Sequence, residues 1–174
     1  MISVVTPLKE KDLKNLSAGD EVLISGLIYT ARDEAHQRFV EALKRKEKLP
    51  LKLEGQILFY ASPTPAKTGK VVGSIGPTTS GRLDVYTPLL LELGLKGMIG
   101  KGKRSLKVKE AIKKYRAVYF IAIGGAAAFL SQFVKKAEVV AYEDLGPEAV
   151  YKLEVKDFPV IVGIDTLGND IYER

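Results

Sequence analysis

Apolar residues in the first third of the chain come in short runs separated by polar turns. Residues 2–6 form a brief apolar start, and residues 21–30 (EVLISGLIYT) carry the β-branched and aromatic side chains of a strand. A helix is expected next. Thr30 and Asp33 offer capping oxygens, Ala35, Phe39, Ala42 and Leu43 recur at helical spacing, and a basic stretch at 44–48 followed by Pro50 closes it. Lysines there complement the partial negative charge of the last-turn carbonyls. Residues 55–61 (GQILFYA) read as a second strand. Pro63 and Pro65 force an irregular loop, because proline cannot donate to a ladder, and 71–75 resumes extended structure.

The hydroxyl-rich turn at 76–82 (GPTTSGR) ends a strand and opens a helix whose inner face is Leu83, Leu90, Leu91 and Tyr86. Beyond it the pattern predicts a short strand at 97–99, a lysine-rich helix at 105–115 and a buried strand at 117–123. An alanine-lined helix at 124–135 and strands at 139–142 and 160–165 complete the chain. Alternating strands and helices predict an α/β fold with a partly parallel sheet, and the strands clustered between 21 and 75 suggest a second β layer. With 174 residues, no internal repeat and no linker, the expectation is a single domain over 1–174.

Composition narrows the chemistry. Hydrophobic residues at 46% and charged ones at 28% are the balance of a globular protein and exclude a disordered or low-complexity chain. There is no cysteine and one histidine, so thiolate or imidazole metal sites, disulfides and iron–sulfur ligation are not available from this sequence. Residues 1–12 lack an apolar signal core, which points to the cytoplasm. The longest apolar run, 117–130, has 14 residues and a Gly-Gly break, short of the ~20 that cross a bilayer.

Charge is unevenly distributed. Residues 1–137 carry 24 Lys/Arg and 12 Asp/Glu, whereas residues 138–174 carry 3 and 9. Such a split suits an anionic ligand, a charged partner, or two faces of one molecule that attract each other. Residues 97–103 (GMIGKGK) begin like a phosphate-binding loop, but Arg104 stands where a Mg²⁺-binding hydroxyl is required, which argues against nucleotide hydrolysis. The nine basic residues between 96 and 116 offer a stripe for nucleic acid, yet without interleaved aromatics a solvated helix face or a partner contact is the favoured reading. His36 reads as a rim or structural histidine rather than a general base.

What remains is a set of cations and hydroxyls at segment ends: Arg32 after a strand, Thr78 and Arg82 at a helix start, and Lys101 after another strand. In an α/β sheet these positions meet beyond the carboxyl ends of the strands, a place for a small di-anion. Three of them also have a structural alternative: Thr78 as a helix cap, Arg82 paired with Asp84 or another helix-face acid, and Arg32 paired with Asp33 or Glu34.

Three of these stretches together resemble one family. Residues 26–38 (GLIYTARDEAHQR), 76–84 (GPTTSGRLD) and 100–105 (GKGKRS) are similar, in the same order, to motifs of the β subunit of class I fumarate hydratases and of the related tartrate dehydratase β subunit. The resemblance covers nearly the whole chain. It implies a swivelling β/β/α domain of an iron–sulfur hydro-lyase whose [4Fe-4S] cluster is held by three cysteines of an N-terminal domain or a separate α subunit. A chain without cysteine would then be the β half of an α2β2 enzyme that reversibly hydrates fumarate to (S)-malate. Tartrate or another 2-hydroxy-diacid is the alternative substrate, and a non-catalytic anion or nucleic-acid module the alternative class. Carried over by motif, the resemblance implies that Arg32, Thr78, Arg82 and Lys101 hold the dicarboxylate and that Thr78 and Lys101 share in proton transfer. Asp33, His36, Thr79 and Ser80 would support them.

Overall fold

In the computed structural model, which describes residues 1–123 and 125–173, the strands form one sheet. In chain order they are β1 (Ile2–Val5), β2 (Glu21–Thr30), β3 (Ile57–Phe59), β4 (Gly97–Gly100), β5 (Val118–Ile121), β6 (Val134–Ala141) and β7 (Val150–Ile164). The pairs β1–β2, β2–β3, β3–β4 and β4–β5 are parallel, and β7 runs antiparallel to β2, β5 and β6. Because β7 pairs with both β2 and β5, the sheet closes into a barrel. The two β layers anticipated from sequence are opposite walls of this one sheet. Helices α1 (Glu10–Leu13), α2 (Asp33–Lys44), α3 (Thr87–Glu92), α4 (Leu106–Tyr115) and α5 (Ala127–Leu130) complete a mixed α/β architecture.

Alternation along the strands sorts their side chains into two cores. Ile57 and Phe59 of β3 and Val118 and Phe120 of β5 join Ile24, Ile28, Leu153, Val155 and Phe158 in the barrel interior. The intervening Leu58, Tyr60, Met98 and Tyr119 meet Phe39 of α2, Leu90 and Leu91 of α3, and Val108 and Ile112 of α4. Each large side chain buried in this way contributes roughly 1.5–3 kcal/mol. Ser105 fixes the start of α4 by accepting a hydrogen bond from the Val108 N–H (3.3 Å).

Several elements differ from the sequence pattern. Residues 71–75 are not a strand: the loop closes on itself through Thr64, whose Oγ1 accepts from the Ser74 N–H (2.7 Å), while Val72 and Ile75 plug the barrel. The helix expected at 83–91 is split, with a 3-10 turn at Ser80–Leu83 and a fresh start at α3, where Pro88 suits a first turn and not an interior. The helix expected at 124–135 shrinks to α5 and a 3-10 turn at Ser131–Phe133; Gly124 lies outside the described residues. Strand pairing takes over at Val134, opposite Val155, so β6 begins earlier than 139, and Tyr142 in a left-handed conformation (φ 56°) ends it. The strand expected at 160–165 extends back to Val150. Its buried positions run Leu153, Val155 and then Phe158, Val160, Val162, a change of parity at Asp157, where φ is 52° and the register against β2 shifts. That bulge hides the alternation from a period-two reading. Among the described residues no helix is long and apolar enough to cross a membrane.

Four adjacent parallel strands, β2 to β5, bring their carboxyl ends to one end of the barrel. The segments leaving that end carry Arg32, Ser62, Thr78 and Lys101.

Candidate functional site

Arg32 is set by the turn from β2 into α2. The Ala31 N–H donates to Phe59 O (3.0 Å), and Arg32, still extended, precedes the first helical residue. Its carbonyl accepts from the backbone N–H of His36 (3.0 Å) and from His36 Nδ1 (2.7 Å), which must therefore carry the proton. His36 is not at a rim. It is fully buried, with its ring against Phe39, Tyr60 and Tyr86, and burial pushes its pKa down to about 4. The histidine is thus a neutral strut that anchors the backbone from which Arg32 projects.

A stability consequence follows from that burial. The unfolded chain protonates this ring near pH 6.5 and the folded chain only near 4. The contribution is complete above 6.5 and is lost as pH falls towards 4, by roughly 3 kcal/mol. Urea denaturation at pH 7 and pH 4 should show His36→Phe losing less stability on acidification than the wild type. Equal losses would contradict the assignment.

Thr78, Arg82 and Lys101 are set by the contact between the 76–82 turn and β4. The Thr78 N–H donates to Tyr60 O (2.7 Å), the Ser80 N–H donates to Lys101 O (3.0 Å), and Thr79 forms a parallel bridge with Lys101. Beneath them the Tyr119 hydroxyl lies 2.8 Å from both Ser80 Oγ and Gly102 O. Thr78 is not the helix cap: Thr79 occupies the cap position, without a side-chain cap bond, and the Thr78 hydroxyl has no protein partner among the described residues. Gly100 permits the approach. A Cβ there would overlap Ser80 Oγ and fall 2.9 Å from Tyr60 Cδ2. Gly100→Ala should cost about 1–3 kcal/mol and displace the turn, which thermal denaturation will register as a lowered midpoint; an unchanged midpoint would mean that the turn is not clamped to β4.

Arg32 stands beside its sequence neighbour Asp33, whereas Arg82 is tied to a carboxylate distant in sequence. Arg82 pairs with Asp33, not Asp84: Nε donates to Oδ1 (3.2 Å) and Nη2 to Oδ2 (2.7 Å). The hydrogen bond from Arg82 holds the Asp33 carboxyl below its usual range. Arg32 donates from Nη1 to Ser62 Oγ (3.4 Å), while its Nε stands 4.0 Å from Asp33 Oδ2 and 3.9 Å from Glu148 Oε1. Glu148, from the 3-10 turn Glu143–Glu148 before β7, escaped the sequence reading because no local motif surrounds it. Lys101 is exposed and its ammonium has no ion-pair partner among the described residues. The site is an open face bearing three cations, two nearby carboxylates and a free hydroxyl.

Three of the other basic residues between 96 and 116 are tied into the scaffold. Arg104, at the position that breaks the phosphate-loop pattern, is buried and pairs with Asp84 (2.6 Å). Lys96 Nζ donates to Tyr115 O (2.5 Å), and Lys109 lies between Asp170 (3.5 Å) and Glu173 (2.6 Å). Lys109 with Asp170 and Glu173, Arg38 with Asp144 and Arg32 with Glu148 join the basic N-terminal part to the acidic C-terminal part. Much of the charge asymmetry is therefore mutual attraction within the molecule. For a metal the chain is poorly equipped: it has no cysteine, and the described residues include no group of three or more His, Asp or Glu able to hold an ion. These residues do not fit an iron–sulfur cluster.

Comparison with known proteins settles the ancestry. The profile of the family described as "Fumarase C-terminus" matches residues 1–174. The chain belongs to the fumarase C-terminus family. It is 44% identical over 173 residues to a proposed L(+)-tartrate dehydratase subunit β of Methanocaldococcus jannaschii, covering 96% of this chain and 89% of that protein. It is 38% identical over 172 residues to the aerobic class I fumarate hydratases of Salmonella typhimurium and Escherichia coli, covering 97% of this chain in each case. Of those two enzymes it spans only 30% and 31% of the length. The fumarase C-terminus fold thus occurs both as a near-complete β-type chain and as one part of a longer hydratase.

Proposed function

We propose that this chain is the β component of a two-component hydro-lyase acting on a 2-hydroxy-dicarboxylate of the tartrate type, and that it supplies the grips for the substrate carboxylates. The observation that carries this reading is the gathering of Arg32, Thr78, Arg82 and Lys101 on one open face at the carboxyl ends of β2 to β5. An arginine binds a carboxylate through paired N–H donors and fixes its orientation, whereas lysine supplies a compact charge. Two carboxylates joined by a two-carbon unit call for two such grips. The near end-to-end match with a β-type relative supports tartrate over fumarate.

Dehydration of such a substrate removes a poorly acidic C–H proton from one carbon and hydroxide from its neighbour. Negative charge then develops on the carboxylate beside the deprotonated carbon, and Lys101 is a fixed cation that stabilises it, while the arginines hold the carboxylates before and during the reaction. Thr78 is a weak base by itself. In a proton-transfer role it needs an activating neighbour, either Lys101 or a carboxylate of the partner. The partner is an α component that holds the iron–sulfur cluster through its own cysteines, in an α2β2 assembly. The 38% identity to class I fumarate hydratases favours a second reading, in which the substrate pair is fumarate and (S)-malate.

The test is a substrate panel on the reconstituted complex, comparing the tartrate stereoisomers, (S)-malate and fumarate under anaerobic conditions. A kcat/KM for one tartrate isomer at least tenfold above that for (S)-malate supports the tartrate reading. The reverse order assigns the chain to fumarate hydration, and turnover of none of them removes the hydro-lyase assignment.

A further inference from the structure

The guanidinium of Arg82 is held from one side only. Asp33 occupies the edge formed by Nε and one N–H of Nη2, while Nη1 has no acceptor among the described residues. A guanidinium presents its five N–H donors in one rigid plane, so fixing one edge fixes the direction of the other. The edge left over, Nη1 with the second N–H of Nη2, is itself a carboxylate-matching pair. Arg32 shows a related arrangement. Its Nε faces Glu148 Oε1 at 3.9 Å and Asp33 Oδ2 at 4.0 Å, and Ser62 takes Nη1, leaving Nη2 without a partner. Arg32 Nε and Glu148 Oε1 are both buried atoms lacking a hydrogen bond among the described residues; such groups cost free energy, and a functional role is one reason to retain them.

We infer that Asp33 and Glu148 are positioning residues: they hold the Nε edges of Arg82 and Arg32 from behind, so that the terminal edges face the two carboxylates of one substrate molecule. This inference rests on the dicarboxylate reading above. A competing role has the opposite consequence. If Asp33 were a surrogate occupying the grip until substrate displaces it, removing its charge would tighten substrate binding rather than weaken it.

The experiment uses the reconstituted complex with its best diacid, in wild type, Asp33→Asn, Asp33→Glu, Glu148→Gln, Arg82→Ala and the Asp33→Asn/Arg82→Ala pair. Positioning predicts that Asp33→Asn raises KM about tenfold or more with kcat within about threefold, because a misdirected grip weakens ground and transition states alike. Glu148→Gln should raise KM in the same sense, and Asp33→Glu should recover part of the loss. A purely structural role would lower the active fraction, and hence apparent kcat, at constant KM. In the Arg82→Ala background Asp33→Asn should add nothing further to KM, since Asp33 acts through Arg82. A KM that is unchanged or lowered in Asp33→Asn overturns the inference while leaving the proposed function intact. A wild-type complex inert to every diacid overturns both.

Discussion

Replacing Lys101 by alanine should lower kcat/KM of the assembled enzyme by about 10²–10³-fold, the usual consequence of removing one preorganised group that stabilises developing negative charge. The prediction is clean because of where this lysine stands. Its backbone carbonyl accepts from the Ser80 N–H and its backbone bridges to Thr79, but its ammonium pairs with no carboxylate among the described residues. Alanine preserves every one of those backbone bonds. An exposed side chain without partners contributes within about 0.5 kcal/mol to stability. The melting midpoint should therefore stay where it is while turnover collapses. Turnover within twofold of wild type would remove Lys101 from the site, and loss of turnover accompanied by unfolding would move it into the scaffold.

Arg104→Met should be the most destabilising single change near the site, by about 3–5 kcal/mol in urea denaturation. Its guanidinium is buried, with Nε on Asp84 Oδ1 (2.6 Å) and Nη2 on Thr87 Oγ1 (2.8 Å) and Tyr60 Oη (3.3 Å). It also lies over the rings of Tyr60 (5.2 Å) and Tyr119 (4.8 Å). Methionine fills part of the volume but leaves Asp84 as a largely buried, uncompensated charge, which is the expensive half of a broken ion pair. Removing both charges together, in Arg104→Met with Asp84→Asn, should recover part of the loss. Because Arg104 joins the 3-10 turn, the start of α3 and the outer face of β3, its loss should also loosen the turn that carries Thr78 and Arg82. A change of less than 1 kcal/mol would show that the pair is not structural.

The positions that were legible in the sequence share a physical reason. Arg32 and Lys101 lie just past β2 and β4, and Thr78 and Arg82 flank the start of a 3-10 turn; parallel strands bring such segments together wherever the intervening helices pack back on the sheet. The partners of these residues were not legible. Asp33 was adjacent in sequence to Arg32 yet takes Arg82 as its main partner, 49 residues away. Glu148 reaches Arg32 only because β7 crosses the barrel antiparallel to β2, and the sequence signal for that strand is broken by the bulge at Asp157. Arg104 could be recognised as a misfit to a phosphate loop, but its burial depends on Asp84, Thr87 and two tyrosines from three separate segments. Local pattern reveals where chain segments end; long-range ion pairs depend on how the barrel closes.

In the proposed function this chain completes an active site with a cluster-bearing partner. An anaerobic assay of the chain alone, its candidate α component alone, and the two together after iron and sulfide reconstitution tests it most directly. Turnover of a 2-hydroxy-dicarboxylate should be confined to the mixture. A cluster-loaded partner that neither associates with this chain nor gains activity from it would show that this chain is not the missing half of such a site.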